Sequence, residues 1–134
     1  MSHFTTIKTR LTEKEPLLQA LRDLGYAPVE GPIEIRGYED GRRRVEIKIS
    51  SPNPDYDIGF HKADGFYECV ADWFGLRDFD QTKFLEDLIR RYAYHAARAK
   101  LEEQGFTLAA EETTKDGRVH MVLRRIAPYG TSGN

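Results

Sequence analysis

A single cysteine, Cys69, stands in a chain of 134 residues. Alone it can form no internal disulfide and no CxxC metal knuckle, and such scarcity suits a reducing compartment. No apolar run approaches the length of a membrane span, and the opening MSHFTTIKTR has no apolar stretch of the kind a secretory signal carries. The expectation is a soluble, cytosolic protein without a membrane partner. A basic excess is also missing. The net charge is −2 at neutral pH, whereas nucleic-acid binders show a basic excess or a basic face. The local basic excess is Arg42, Arg43 and Arg44 beside a turn, with Arg124 and Arg125 near the end, where solvated strand edges account for them. Nucleic acid is therefore not an expected partner.

The signatures of common chemistry are absent as well. There is no P-loop, no GxGxxG and no GxSxG. The histidines His3, His61, His95 and His120 are not spaced as HxH or HExxH, so neither a metal nor another cofactor is indicated. Cys69 lies between Glu68 and Val70 with no cation or helix N-terminus beside it in sequence, which reads as a small core residue and not as an activated thiolate.

What is present is strong patterning. The length fits one domain, in which roughly two-thirds of the unfolded surface is buried. We take residues 1–127 as that single domain and 128–134 as a flexible tail. His3 to Leu11 is a short extended segment. TEKE then offers a capping box, with Thr12 at the cap and Glu15 three residues on. Pro16 falls in the first turn, Leu17, Leu18, Leu21 and Leu24 recur at helical spacing, and Gly25 stops the helix. Ile33 to Gly37 predicts a strand with a turn at Asp40-Gly41. Val45, Ile47 and Ile49 then alternate with Arg44, Glu46 and Lys48. SSPNP is a loop, Tyr56, Ile58 and Phe60 alternate again, Asp64-Gly65 turns the chain, and Phe66 to Trp73 is the next strand. A long helix runs from a cap at Asp80 to Gln104, its apolar stripe carried by Phe84, Leu88, Ile89 and Tyr92, with Phe79 and Phe84 placed for a hydrophobic staple. Phe106 to Ala110 and Arg118 to Ile126 close a last hairpin. The order β-α-β-β-β-β-α-β-β, with short turns and one apolar stripe per helix, predicts an α+β two-layer sandwich. Its sheet is mainly antiparallel, of about six to seven strands, with both helices on one face.

Two places on this frame carry candidate function. Asp72 and Trp73 end a strand and point to opposite faces. If Tyr67, Cys69, Ala71 and Trp73 face the helices, Trp73 is a core anchor and Asp72 joins Glu68 on the open face. In the other phase Asp72 sits at the buried rim and needs a partner, such as Arg90, Arg91 or N–H groups at the start of the long helix. In RRYAYH, Tyr92 falls on the apolar stripe. Arg91, Tyr94, His95 and Arg98 fall on the flanks, and Tyr with Arg is a composition favoured at protein interfaces.

Several stretches together resemble one family: SHFTTIKT, YDIGF at 56–60, YECVADWFGL at 67–76, DQTKFLEDLIRRYAYH at 80–95 and EEQGF at 102–106. It is the uncharacterised family of the hypothetical chloroplast open reading frame thirty-five, found in algal plastids, cyanobacteria and other bacteria. The likeness spans nearly the whole chain. The family pattern has an aromatic where Cys69 stands, which argues against catalysis by Cys69, and a second tryptophan where Phe74 stands. The resemblance implies a relative, not an activity. Two functions are weighed. The first is a non-catalytic accessory or adaptor protein that docks a protein partner through Trp73, Arg91, Tyr94 and His95, with Asp57 and Asp72 at the adjoining sheet edge. The second is a small enzyme or ligand binder in which Asp57, His61 and Asp72 converge at the strand ends. RNA binding through Arg42 to Arg44 and an aromatic open face is a third and weaker reading.

Overall fold

The computed structural model describes residues 3–125. The tail expected from residue 128, and Ile126 at the end of the last expected strand, lie outside the described residues. The elements follow in the order read from the sequence: β1 (Thr5–Lys8), α1 (Lys14–Asp23), β2 (Val29–Arg36), β3 (Arg42–Ser50), β4 (Asp57–Ala63), β5 (Phe66–Ala71), α2 (Gln81–Glu103), β6 (Phe106–Thr113) and β7 (Val119–Arg125). Every strand pair is antiparallel. Five strands form one sheet in the order β1-β5-β4-β3-β2, and β6 with β7 forms a second, where sequence patterning pointed to a single sheet. The edges of the larger sheet explain the separation. β1 has only four residues, and β2 is interrupted by a register shift between Glu30 and Ile33, so neither offers a long ladder to the last hairpin.

The expected α+β layering holds. Leu17, Leu18 and Leu21 of α1 and Phe84, Leu88 and Tyr92 of α2 share one cluster with Ile47, Ile49, Ile58, Phe60, Tyr67, Cys69 and Ala71 of the sheet. The alternation on β5 thus puts Tyr67, Cys69 and Ala71 toward the helices. The helix starts are made differently from each other. On α2, Asp80 caps as its sequence position predicts, accepting from the Lys83 N–H at 2.9 Å, and Phe79 packs on Phe84 at 5.3 Å between ring centroids. On α1 the expected capping box does not form. The cap residue is Glu13, without a side-chain cap bond, and the Tyr92 hydroxyl of α2 accepts the N–H groups of Thr12 and Glu13 at 3.1 and 2.9 Å. A tertiary contact does the work assigned to a local motif.

The face of the sheet turned away from the helices is not open. Ile35 and Val45 of the β2–β3 hairpin join Val70 in a second buried cluster, with Phe4 and Ile33 packed against it. The far half of the hairpin therefore lies across β4 and β5. The approach is close enough to require glycine. A Cβ on Gly59 would stand 2.6 Å from Cγ1 of Val45 and 3.0 Å from Cγ2 of Ile35. Overpacking of this kind typically destabilises by about 1–3 kcal/mol. Gly59→Ala is expected to lower the unfolding free energy by about 2 kcal/mol in urea denaturation, with a smaller loss when Val45→Ala is already present. An unchanged midpoint would show that the hairpin does not press on β4.

Candidate functional site

The register Ile58↔Ala71 puts Asp57 and Asp72 one step further out on neighbouring chains, at the same end of the sheet and on the face away from the helices. Both are buried, at 1% and 0% exposure. Asp57 accepts the Arg36 N–H at 2.8 Å and two bonds from its guanidinium, Nε at 3.0 Å and Nη2 at 3.1 Å. Asp72 accepts the Tyr38 N–H at 2.9 Å and, more weakly, the His3 N–H at 3.4 Å, while its other oxygen, Oδ1, is buried without a partner among the described residues. Asp72 is thus neither on an open face nor paired with Arg90, Arg91 or the start of α2. Main-chain donors from the folded-back hairpin, at Tyr38, and from the N-terminal segment, at His3, hold it instead. Burial pushes the Asp57 carboxyl up, but the Arg36 hydrogen bonds and charge outweigh it and hold the group below the ordinary carboxylate range.

These two carboxylates grip residues 36–38, just before the hairpin tip. That tip is strained. Glu39 and Asp40 are both left-handed, at φ 53° and 59°, and the Gly41 N–H closes the turn on the Tyr38 carbonyl at 3.0 Å. The turn is centred one residue before the expected Asp40-Gly41, and its two left-handed places fall to residues that disfavour them. Beside the tip the chain leaving β5 makes a short 3₁₀ turn, Trp73–Gly75. Trp73 is therefore past the strand and not in it. It is half-buried, packed on the core and stacked on Phe79 at 6.2 Å, and its indole Nε1 is buried without a partner among the described residues. Gly75 is required because Tyr56 lies over it, its ring 1.9 Å from where a Cβ would sit.

The result is an exposed aromatic patch. Phe74 is 73% exposed and Tyr38 43%, and the His3 ring lies 5.6 Å from each. Asp40 and Asp55 line a neighbouring hollow with Arg36, Glu39 and Arg42, and between Tyr38, Tyr56 and Phe74 opens a cleft of about 410 Å³ whose charged walls are Arg77 and Asp78. None of Asp57, His61 and Asp72 lines it. His61 is four residues from Asp57 on one strand, about 13 Å away at strand rise, and pairs through Nε2 with Glu68 at 2.9 Å. The three groups do not converge. Among the described residues no group of three His, Cys, Asp or Glu is placed to hold a metal. Burial pushes the Cys69 thiol up, well away from an activated thiolate.

The α2 flank is differently occupied. Arg91 donates from Nε and Nη2 to Asp23 Oδ2 at 2.9 and 2.7 Å, and His95 Nε2 meets the same oxygen at 2.6 Å. Burial raises the Asp23 carboxyl, but the His95 and Arg91 bonds bring it below its ordinary range. Tyr94, expected on an exposed flank, is 7% exposed. Its hydroxyl donates to Glu111 of β6 at 2.9 Å and accepts from Arg98 at 3.1 Å, and the Arg91 guanidinium lies 4.6 Å over its ring. These residues clasp α1 and β6 to α2. Arg42 and Arg44 are exposed on β3, while Arg124 and Arg125 are on the other sheet. Sequence reading missed Tyr38, Glu39 and Asp40, because nothing local marks a folded-over hairpin. Phe74 could have been flagged as a large apolar residue beside the turn-former Gly75.

Over residues 20–122 the chain matches the family described as a protein of unknown function, DUF1257. It is similar to the "Uncharacterized protein ycf35" of Cyanophora paradoxa, 32% identical over 93% of this chain and 98% of the relative. It is also similar to the proteins of that name from Pyropia yezoensis, 33% identical over 93% and 98%, and Guillardia theta, 33% identical over 96% and 100%. No solved structure matches the chain. Among the described residues no helix is long and apolar enough to cross a membrane.

The Asp57 geometry gives a pH test. Its folded-state pKa lies below the unfolded value, so its stabilisation is complete above about pH 4 and drains away as pH falls through the lower folded value. Asp57→Asn keeps one acceptor but loses the charge. It should lower stability by about 2 kcal/mol at neutral pH and flatten the acid limb of a stability–pH curve measured by urea unfolding. Parallel curves for variant and wild type would contradict the pairing.

Proposed function

Because the chain belongs to the DUF1257 family, whose description assigns no activity, we propose on the geometry of the site that it is a non-catalytic accessory protein that binds a protein partner. The observation that carries this is the Tyr38–Phe74 patch: two large exposed rings on backbone held rigidly by buried carboxylates. Aromatic side chains bring much contact area at small entropic loss, and an exposed phenylalanine beside a cleft is otherwise a liability. The strained turn supports the same reading, since left-handed non-glycine residues gather where structure serves a site. Asp40 at the tip and Asp78 in the cleft offer acids, and Arg77 a cation, to a partner segment whose apolar anchor has charged neighbours. We put the docking surface at the hairpin tip, because Arg91, Tyr94 and His95 are engaged within the fold, clasping α1 and β6 to α2. The buried, unactivated Cys69 is compatible with a reducing, cytosolic setting.

Affinity capture with wild-type protein and with Tyr38→Ala/Phe74→Ala, checked for folding by circular dichroism, tests the reading. A partner recovered by the wild type and then purified should bind the variant roughly thirtyfold more weakly. Equal binding would refute this surface. A second variant separates function from folding. Glu39→Asn/Asp40→Gly places favourable residues in the left-handed turn and should raise stability by about 1 kcal/mol while weakening the same partner. If binding rises or holds as stability rises, the acids at the tip are not part of the site.

A further inference from the structure

A separate surface lies on the second sheet. Four strands have a free edge among the described residues: β1 and β2 in the larger sheet, β6 and β7 in the smaller. Natural edges are blunted against unwanted pairing by shortness, bulges or proline. β1 has only four residues. β2 carries Gly31-Pro32 within its register shift. β6 is broken between Leu108 and Ala110. β7 alone runs seven residues, VHMVLRR, without glycine, proline or irregularity of its own. It is also poorly covered. Val122 is 58% exposed, a groove of about 360 Å³ with Ala93, Ala97, Val119 and Met121 in its walls separates β7 from α2, and a two-strand sheet by itself is marginal.

The charge on this edge selects what can pair with it. His120, Val122 and Arg124 share one exposed face of β7, and neither the His120 nor the Arg124 side chain has a hydrogen bond or ion pair among the described residues, though Glu112 of β6 stands opposite His120 in the ladder. There is no acid from Val119 to Arg125. A second copy offers less. Antiparallel pairing of two β7 strands about Val122 sets His120 opposite Arg124 and Val119 opposite Arg125, so the new ladder gains no pair of opposite charges. We infer that the free edge of β7 binds an extended, acidic segment of another protein by strand addition. Main-chain hydrogen bonds supply the pairing, acids on the added strand face Arg124 and His120, and its inward side chains enter the groove beside Ala93 and Ala97.

Two synthetic peptides test this, one alternating glutamate with valine and one alternating lysine with valine. The glutamate peptide should bind, more weakly as salt rises, and slow amide hydrogen exchange in residues 119–125. The lysine peptide should not bind. His120→Glu/Arg124→Glu should weaken the glutamate peptide about tenfold and admit the lysine peptide. The inference fails if neither peptide binds, if both bind alike, if protection maps outside β7, or if sedimentation shows the protein dimerising through this edge.

Discussion

Two buried carboxylates at one end of the sheet hold the molecule's least regular part in place. Asp57 and Asp72 are side by side in register, and each accepts a main-chain N–H from the start of the β2–β3 turn, Arg36 and Tyr38 respectively. A buried carboxylate without donors is very costly. The hairpin can therefore fold back only where it supplies them, and the carboxylates can be buried only if it does. Folding back gives the sheet its second small core of Ile35, Val45 and Val70, demands glycine at 59, and brings Tyr38 next to Phe74. Arg36 completes the arrangement by neutralising Asp57 while its own side chain stays partly in solvent.

A second set of polar contacts does the same for the helical layer. Asp23 at the end of α1 is shared by Arg91 and His95 of α2, and Tyr94 reaches Glu111 of β6. The aromatic series Trp73, Phe79, Phe84 and Tyr26 links the exit of β5 to both helices. Each contact joins elements distant in sequence. Together they fix α2, from which the β6–β7 hairpin projects, and leave the outer edge of β7 uncommitted.

The two surfaces are unlike in kind. At the hairpin tip, side-chain aromatics stand on strained backbone beside charges of both signs, an arrangement suited to an apolar anchor with charged neighbours. At β7 the backbone itself is offered, with basic side chains, to an extended chain. The accessory or adaptor role we propose would use both, each for a partner of different chemistry.

By itself the sequence determined the elements, their order and the α+β class, because these follow from local periodicity. Val45, Ile47 and Ile49 alternate, Leu17, Leu18 and Leu21 recur at helical spacing, Asp80 caps, and Phe79 staples to Phe84. It also pointed to Cys69 as a small core residue, since no cation or helix N-terminus adjoins it in sequence, and the thiol is buried. Tertiary structure decided everything that rests on contacts between distant segments. Tyr92 stands in for the Thr12 capping box because its hydroxyl, brought from α2, accepts the Thr12 and Glu13 N–H groups. Asp72 became buried because a hairpin more than thirty residues earlier in the chain folds over it. Tyr94 left the surface because Glu111 met it. Phe74 and Tyr38 came to line one cleft because the β2–β3 hairpin folds back over β4 and β5. No local pattern encodes such meetings, since alternation tells which side a residue faces and not what will cover that side.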